Sequence, residues 1–306
     1  MNGFGIVLMA VRCMHWPVVE EVKVVYRISF SALLVSLSLV CAIPTVMAQV
    51  AVSAVAVMEL PAARAVVDAT GFNGVVLIHA MHNNTYMAGH AERVDDVFLP
   101  ASTFKIFSSL VALEIGVIAD KNTVIKWDGV VRGRSETNTD LDLHSAFRIS
   151  AVPHFQQLVT TIGAERMQGF IDAAGYGNRD ISGGINTFWL TGGTRISPRQ
   201  QIELLVRLYN NDLPFSSDTM SAVRDMMLVE QTPQYTLRAK TGWATLDNGE
   251  NTGWWVGWVE KGQEVFVFAC VLQATNPDAS FGPARLSVAR NVLAQLGIIT
   301  EEKAGD

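Results

Sequence analysis

Apolar and polar positions along this 306-residue chain predict β-hairpins near both ends. Two apolar runs, at 75–80 and 86–89, are separated by a turn that contains Asn-Asn, and two more, at 253–259 and 264–272, by a turn that contains Lys-Gly. Short apolar runs joined by turn-forming residues are typical of antiparallel hairpins. We therefore expect strands near the beginning and near the end of the folded chain.

Between the hairpins, apolar residues recur every three to four positions, which indicates helices. Ser197 and Pro198 suit the N-cap and first turn of one of them. We expect five helices, at about 103–115, around 155–162, around 167–174, at 198–209 and at about 283–296. Together these elements predict an α+β fold, in which a mainly antiparallel sheet is built from both ends of the mature chain and flanked by helices, with a helical subdomain.

The segment before the first hairpin has the composition of an export signal. Residues 28–46 contain no charged side chain, Lys23 and Arg27 precede them, and Ala48 offers a small residue for signal-peptidase cleavage. We therefore predict a leader and secretory signal peptide at 1–48, cleaved after Ala48, and no membrane anchor after processing. Three alternatives stay open: a transmembrane anchor, a lipoprotein attached through Cys41, and a later translation start.

Composition narrows the classes of function. Hydrophobic residues make up 49% of the chain, its mean hydropathy is +0.25, and its formal net charge is −6. An acidic chain lacks the basic face that nucleic-acid binding needs, and so many apolar residues exclude a disordered chain. Removal of the leader, which carries +1, would leave −7 and one cysteine, Cys270. We therefore expect no internal disulfide and a buried, apolar role for Cys270.

A serine and a lysine three positions apart, Ser102 and Lys105, stand at the start of the first predicted helix. Residues at i and i+3 share a helix face, so the Lys105 amine can reach the Ser102 hydroxyl. A serine nucleophile needs a base, and a lysine serves as one only when it is not an ordinary ammonium. The apolar neighbours Phe104, Ile106 and Phe107 can depress its charge. Alone, the motif is weak, because it also fits a capping serine and a surface lysine.

Two further motifs strengthen this hypothesis. Ser150 begins an S-A-V triplet, and K-T-G follows at the end of an extended stretch. The order S-x-x-K, serine triplet, K-T-G is typical of penicillin-recognising serine enzymes. In such a site Ser102 would attack an acyl carbonyl, Ser150 would relay a proton to the departing amine, and Lys240 would face a substrate carboxylate. Gly242 would allow close backbone approach, with the N–H groups of Ser102 and Trp243 facing the oxyanion.

With these motifs the chain resembles the class D serine β-lactamases of the oxacillinase type. The resemblance extends from about residue 72 to 299 and rests on motifs in the family's order: P-A-S-T-F-K at 100–105, S-A-V-P at 150–153, Y-G-N at 176–178, D-I-S-G-G at 180–184, F-W-L at 188–190, K-T-G at 240–242 and W-W-V-G-W at 254–258. It implies the three-layer αβα fold of β-lactamases and transpeptidases for a catalytic domain at 49–306. It also implies a periplasmic enzyme that hydrolyses β-lactam antibiotics and thereby confers resistance.

The resemblance further implies a modified lysine. In the family, the equivalent of Lys105 reacts with carbon dioxide to form an N-carboxylated lysine, which is the general base of both acylation and deacylation. Trp189 would donate its indole N–H to this carbamate, and we expect no other cofactor. The resemblance also implies that the guanidinium of Arg285 binds the substrate carboxylate. The implied substrate-binding residues are Val152, Leu190, Lys240, Thr241, Gly242, Trp243 and Arg285.

Two other functions stay open. A cell-wall D,D-peptidase or transpeptidase would share the serine–lysine chemistry, although Val152 stands where such enzymes usually carry Asn. A non-hydrolysing β-lactam sensor would stop at the acyl-enzyme. No H-E-x-x-H spacing favours a zinc hydrolase, so we expect no metal. His154 and T-G-G at 191–193 depart from the family's pattern and are expected near the pocket. Their effect on specificity, the range of substrates and the oligomeric state stay open.

Overall fold

The computed structural model describes residues 56–300. The strands in this part of the chain are β1 (Val57–Glu59), β2 (Asn73–Ala80), β3 (Thr85–Gly89), β4 (Val124–Ile125), β5 (Leu141–Asp142), β6 (Leu228–Gln231), β7 (Thr236–Thr245), β8 (Glu250–Lys261) and β9 (Glu264–Thr275). The α-helices are α1 (Pro61–Asp68), α2 (Phe104–Glu114), α3 (Leu143–Arg148), α4 (Val152–Ile162), α5 (Ala164–Ala174), α6 (Pro198–Tyr209), α7 (Ser217–Met226) and α8 (Phe281–Gln295). Single 3₁₀ turns occur at Ala91–Arg93, Ala101–Thr103 and Ser135–Thr137.

Seven strands form the main sheet, in the order β1-β3-β2-β9-β8-β7-β6. Neighbouring strands are antiparallel except β1, which is parallel to β3. The early hairpin joins the late one through β2 and β9, where Val76 is paired with Cys270. The predicted sheet built from both ends of the chain is therefore confirmed, and Cys270 is fully buried as expected.

Helices cover both faces of this sheet because both faces of its central strands are apolar. Along β8, Trp254, Val256 and Trp258 pack in the core shared with α2, α4 and α6. Trp255 and Val259 pack instead in the core shared with α1 and α8. Successive strand residues face opposite sides of a sheet, so one strand contributes to both cores. The predicted α+β, three-layer αβα arrangement is confirmed.

All five predicted helices are present, with corrected ends. The Ser197 hydroxyl caps α6 by accepting a hydrogen bond from the N–H of Gln200 at 3.2 Å, as its position predicted. The last helix begins at Phe281 rather than at 283, and a 3₁₀ turn precedes α2, so Ser102 lies in this turn. The K-T-G motif lies inside β7 rather than at its end, because pairing with β8 continues to Thr245.

The predicted N-terminal features lie outside the described residues. These are the leader at 1–48, its cleavage site after Ala48 and the alternative attachment through Cys41. Because 49–55 and 301–306 also lie outside, both ends of the domain at 49–306 stay predictions. Between residues 56 and 300, no helix is both long enough and apolar enough to cross a membrane.

Candidate active site

Ser102 and Lys105 meet where the 3₁₀ turn passes into α2. The Lys105 Nζ donates a hydrogen bond to the Ser102 Oγ at 3.0 Å. Both side chains are buried, Lys105 completely. Ala101, just before the serine, has a φ of 50°, in the left-handed region that residues other than glycine rarely adopt. Such local strain is found where surrounding structure holds a functional turn in place.

The Lys105 amine lies in surroundings that disfavour its charge. Burial, followed by the nearby positive charges of Lys240 and Arg134, lowers the pKa of Lys105 well below its usual value. The ring of Phe155 lies 5.0 Å from the Nζ, and Phe104 beside it is fully buried. The sequence-based expectation of an uncharged lysine therefore has a physical basis in desolvation.

Trp189 lies next to the same turn. Its carbonyl accepts a hydrogen bond from the Ala101 N–H at 2.9 Å, and its ring stacks on Phe104 with centroids 5.4 Å apart. The indole Nε1 is buried and has no hydrogen-bond partner among residues 56–300. A buried donor without an acceptor is costly, so this atom suits an additional hydrogen-bond acceptor. Leu190, the next residue, is half-buried against the core.

Ser150 and Lys240 are brought together across 90 positions of sequence. The Lys240 Nζ donates hydrogen bonds to the Ser150 Oγ and, at 3.0 Å, to the Thr241 carbonyl. Burial, followed by the positive charges of Arg285 and Arg134, lowers the pKa of Lys240 to about 7. Ser150 has a φ of 56°, so a second strained residue stands at this site.

Gly242 allows β7 to approach the nucleophile turn closely. A Cβ at this position would lie 3.1 Å from the Pro100 carbonyl oxygen and 3.1 Å from the Thr103 Cγ2. The Gly242 carbonyl accepts a hydrogen bond from Arg285 Nη1 at 3.2 Å. The same guanidinium lies over the ring of the half-exposed Trp243, 5.1 Å from its centroid.

One cleft unites most of these residues. It is lined by Ser102, Arg134, Arg148, Ile149, Ser150, Val152, Thr241, Gly242, Trp243 and Arg285. The two buried lysines reach the cleft through their hydrogen bonds to the lining serines. A serine with an adjacent base, a second hydroxyl beside a lysine and the guanidinium groups of the lining arginines form an arrangement suited to acyl transfer from an anionic substrate.

Comparison with known proteins identifies the family. A family model described as the penicillin binding protein transpeptidase domain matches residues 67–294. β-Lactamase OXA-5 of Pseudomonas aeruginosa is 40% identical over 229 residues, which cover 74% of this chain and 85% of OXA-5. The chain belongs to the class D β-lactamase family. β-Lactamase OXA-48 of Klebsiella pneumoniae is likewise 40% identical over 226 residues, covering 74% and 84% of the two chains.

Solved structures of class D β-lactamases agree in fold. The enzyme YbXI from Nostoc has a TM-score of 0.74 and 42% identity, over 78% of this chain and 99% of that one. FUS-1 (OXA-85) from Fusobacterium nucleatum has a TM-score of 0.76 and 31% identity, over 79% and 100%. The resemblance to class D β-lactamases stated from sequence motifs is therefore confirmed.

Two departures from the class D pattern were expected near the pocket, and neither lines the Ser102 cleft. His154 is fully buried, and its Nε2 lies 2.9 Å from the Thr139 carbonyl oxygen. Gly192 packs in its own loop, where a Cβ would lie 2.3 Å from the Ser182 carbonyl oxygen. His154 and Gly192 are therefore held by packing within the surrounding loops and helices.

Arg134 and Arg148 are lining residues that sequence reasoning missed in this class D chain. Arg134 stands in a polar segment without a motif, and Arg148 is near the end of a short helix. The only nearby sequence feature that could have placed Arg148 at the site was Ser150, two positions later. The separation of Arg134 from every motif in the chain left no sequence pattern that could have placed it beside Ser102.

Proposed function

We propose that this protein hydrolyses β-lactams in two steps through an acyl-enzyme on Ser102. The observation that carries the proposal is the Lys105 amine, fully buried, low in pKa and 3.0 Å from the Ser102 Oγ. A neutral amine at this distance can accept or direct the proton that the serine loses. Membership of the class D family supports β-lactams as the substrates.

In the first step, the Ser102 Oγ forms a bond to the lactam carbonyl carbon while the hydroxyl proton passes to the base at Lys105. The backbone N–H groups of Ser102 and Trp243 stabilise the oxyanion, which the close approach at Gly242 favours. The carbon–nitrogen bond then breaks, and the ring nitrogen takes a proton through the Ser150 hydroxyl. Lys240 supplies this hydroxyl with a proton or holds it in position.

We further propose that Lys105 is N-carboxylated in the active enzyme. A neutral amine adds carbon dioxide and releases one proton, so a buried lysine of low pKa suits the reaction. Carboxylation would give Lys105 an anionic oxygen that accepts the Ser102 proton and, after acylation, a proton from the hydrolytic water. The unpartnered indole N–H of Trp189 suits hydrogen bonding to such a group.

The substrate carboxylate is assigned to the sheet side of the cleft. Lys240, Thr241 and Arg285 supply positive charge and a hydroxyl there. Val152 contributes an apolar side chain to the lining of the cleft, and Leu190, next to Trp189, is proposed to shape the same region. An anionic antibiotic would therefore meet local positive charge on an acidic protein.

Turnover of nitrocefin, combined with intact mass, tests this function. Wild-type protein should hydrolyse nitrocefin rapidly, with more activity in added bicarbonate at mildly acid pH. Lys105→Ala should abolish turnover or leave a persistent adduct on Ser102, whereas Lys126→Ala, at an exposed position, should behave as wild type. A persistent adduct in wild type would indicate a peptidase or sensor, and normal turnover by Lys105→Ala would overturn the mechanism. Indifference to bicarbonate would contradict the carbamate alone.

We also propose that the enzyme acts in the periplasm after cleavage following Ala48, and that it confers β-lactam resistance. The uncharged run at 28–46 behind Lys23 and Arg27 supports export. The mass of the protein recovered from the periplasm of an expressing Gram-negative host tests the cleavage site. A mass that includes 1–48 would contradict it.

A further inference from the structure

The cleft around Ser102 is unusually cationic for an acidic protein. Three arginines line it: Arg134, Arg148 and Arg285. None of the residues that line the cleft is acidic. The buried Lys240 adds a further basic group directly behind Ser150. One carboxylate on the β-lactam nucleus is matched by Lys240 and Arg285, which leaves the charges of Arg134 and Arg148 without an assigned role.

Arg134 and Arg285 are attached to different walls of the cleft. Arg285 belongs to α8 and donates to the Gly242 carbonyl of β7. Arg134 belongs to the loop before α3, and its Nη2 donates to the Ile149 carbonyl at 2.9 Å, next to Ser150. Two guanidinium groups in the Ser102 cleft are therefore held by separate segments of the chain, Arg134 at the Ile149 carbonyl and Arg285 at the Gly242 carbonyl.

Arg134 is anchored yet accessible. Its Nε and Nη2 contact Glu136 at 3.0 and 2.8 Å, and its side chain is 54% exposed. These bonds leave Nη1 available to a ligand. An ion pair between two exposed side chains is worth little, so an anion entering the cleft can compete with Glu136 for this guanidinium. The positive charge of Arg134 acts on groups inside the site, because it helps to lower the pKa values of Lys105 and Lys240.

A second cleft adjoins the first at Arg134 and Val152. It is lined by Arg132, Gly133, Arg134, Thr137, Val152, Pro153 and Gln156, none of which is acidic. Arg132 is already paired with Asp128 through bonds of 2.8 and 2.6 Å. Of the three arginines in the Ser102 cleft, Arg134 is therefore the one that also lines the side cleft, which has room for a substituent.

We propose that Arg134 is a specificity-determining residue that favours β-lactams with a second anionic group in the acyl side chain. This inference rests on the proposed function, since it concerns substrates of the same cleft. The carboxylate of the nucleus binds at Lys240 and Arg285, and the side chain extends past Val152 toward Arg134. A dianionic substrate then has a cation for each of its charges, whereas a monoanionic one leaves Arg134 paired with Glu136.

Carbenicillin and benzylpenicillin form a matched pair of probes, because they differ only in a carboxylate on the side chain. We expect Arg134→Gln to lower the ratio of kcat/KM for carbenicillin to kcat/KM for benzylpenicillin about tenfold, which corresponds to about 1.4 kcal/mol at 25 °C. Glu136→Gln, which removes the competing carboxylate, should raise the rate for carbenicillin. Lys126→Gln removes an exposed charge of the same loop and should leave both rates unchanged.

The outcomes distinguish the proposed role of Arg134 from the proposed β-lactamase function. If wild type hydrolyses both penicillins and Arg134→Gln leaves the carbenicillin-to-benzylpenicillin ratio of kcat/KM unchanged, for example by lowering both equally, the proposed role of Arg134 is overturned. The β-lactamase function is then still supported. Hydrolysis of neither penicillin by wild type would overturn both. The carbenicillin-to-benzylpenicillin ratio of wild type should also fall with added salt, because salt screens charges at exposed sites.

Discussion

Replacing Lys240 by methionine should change how the stability of the protein depends on pH. The Lys240 side chain is only 4% exposed, and burial lowers its pKa from 10.5 to about 7. Methionine has a similar length and no charge, so Lys240→Met removes the titration while largely filling the same space. Every other group titrates in both proteins, so the difference between them reports the Lys240 proton together with its effect on the neighbouring Lys105.

The sign follows from proton linkage. A lysine with a lowered pKa in the folded state is neutral there and protonated in the unfolded chain between about pH 7 and 10.5. Unfolding then takes up a proton, so the free energy of unfolding rises with pH across this window and falls as pH drops toward 7. From pH 7 to 9 the Lys240 contribution amounts to about 2 kcal/mol, at 1.36 kcal/mol per unit of pKa shift.

Urea unfolding at pH 7, 8 and 9 measures this contribution. The free energy of unfolding of wild type should rise over this range by about 2 kcal/mol more than that of Lys240→Met. Lys126→Met, which removes a lysine whose side chain is 79% exposed, should follow wild type. Parallel curves for wild type and Lys240→Met would contradict this prediction, because they would mean that burial does not keep the Lys240 amine neutral.

Three further changes test the site and its core. In wild type, kcat/KM should decline above pH 7 as Lys240 loses its charge. Lys240→Arg retains its charge across this range, so this decline should disappear. An equal decline in both proteins would contradict the role of Lys240 in binding the substrate carboxylate. Gly242→Ala places a Cβ 3.1 Å from the Pro100 oxygen and from Thr103, so kcat should fall about 10- to 100-fold in nitrocefin assays, and an unchanged kcat would contradict the need for close approach. Phe104→Ala empties a fully buried position between four aromatic rings and should lower the free energy of unfolding by about 3–5 kcal/mol in urea, whereas a loss under about 1 kcal/mol would contradict tight packing there.

Much of the fold could be predicted because its central elements are long and strongly patterned. The apolar runs of β2, β8 and β9 and the turns between hairpin strands are local signals, and so is the capping pair at Ser197. Helices α1, α3 and α7 were missed, since α1 and α3 are short and α7 mixes polar with apolar residues. The α2 start was misplaced because a 3₁₀ turn and an α-helix have nearly the same local pattern.

The residues of the candidate site also differ in how far they could be predicted from the sequence. Ser102 and Lys105 could be paired from their spacing, because one turn of chain brings i and i+3 together whatever surrounds them. Ser150 and Lys240 could be associated only through the order of family motifs, and Arg134 through no pattern at all. Loop conformation decides where Arg134 lies, and nothing in its neighbouring residues encodes that position.

Sequence alone was enough to predict the strands at both ends, the helical middle and the serine–lysine turn, because each depends on residues that are neighbours in the chain. Three features depend on how the chain folds in three dimensions: Lys105 is fully buried, Lys240 contacts Ser150, and Arg134 lines the same cleft as Ser102 and Arg285. Desolvation and Coulomb fields depend on the groups that surround an atom in space. In this protein those groups come from segments that the sequence keeps far apart.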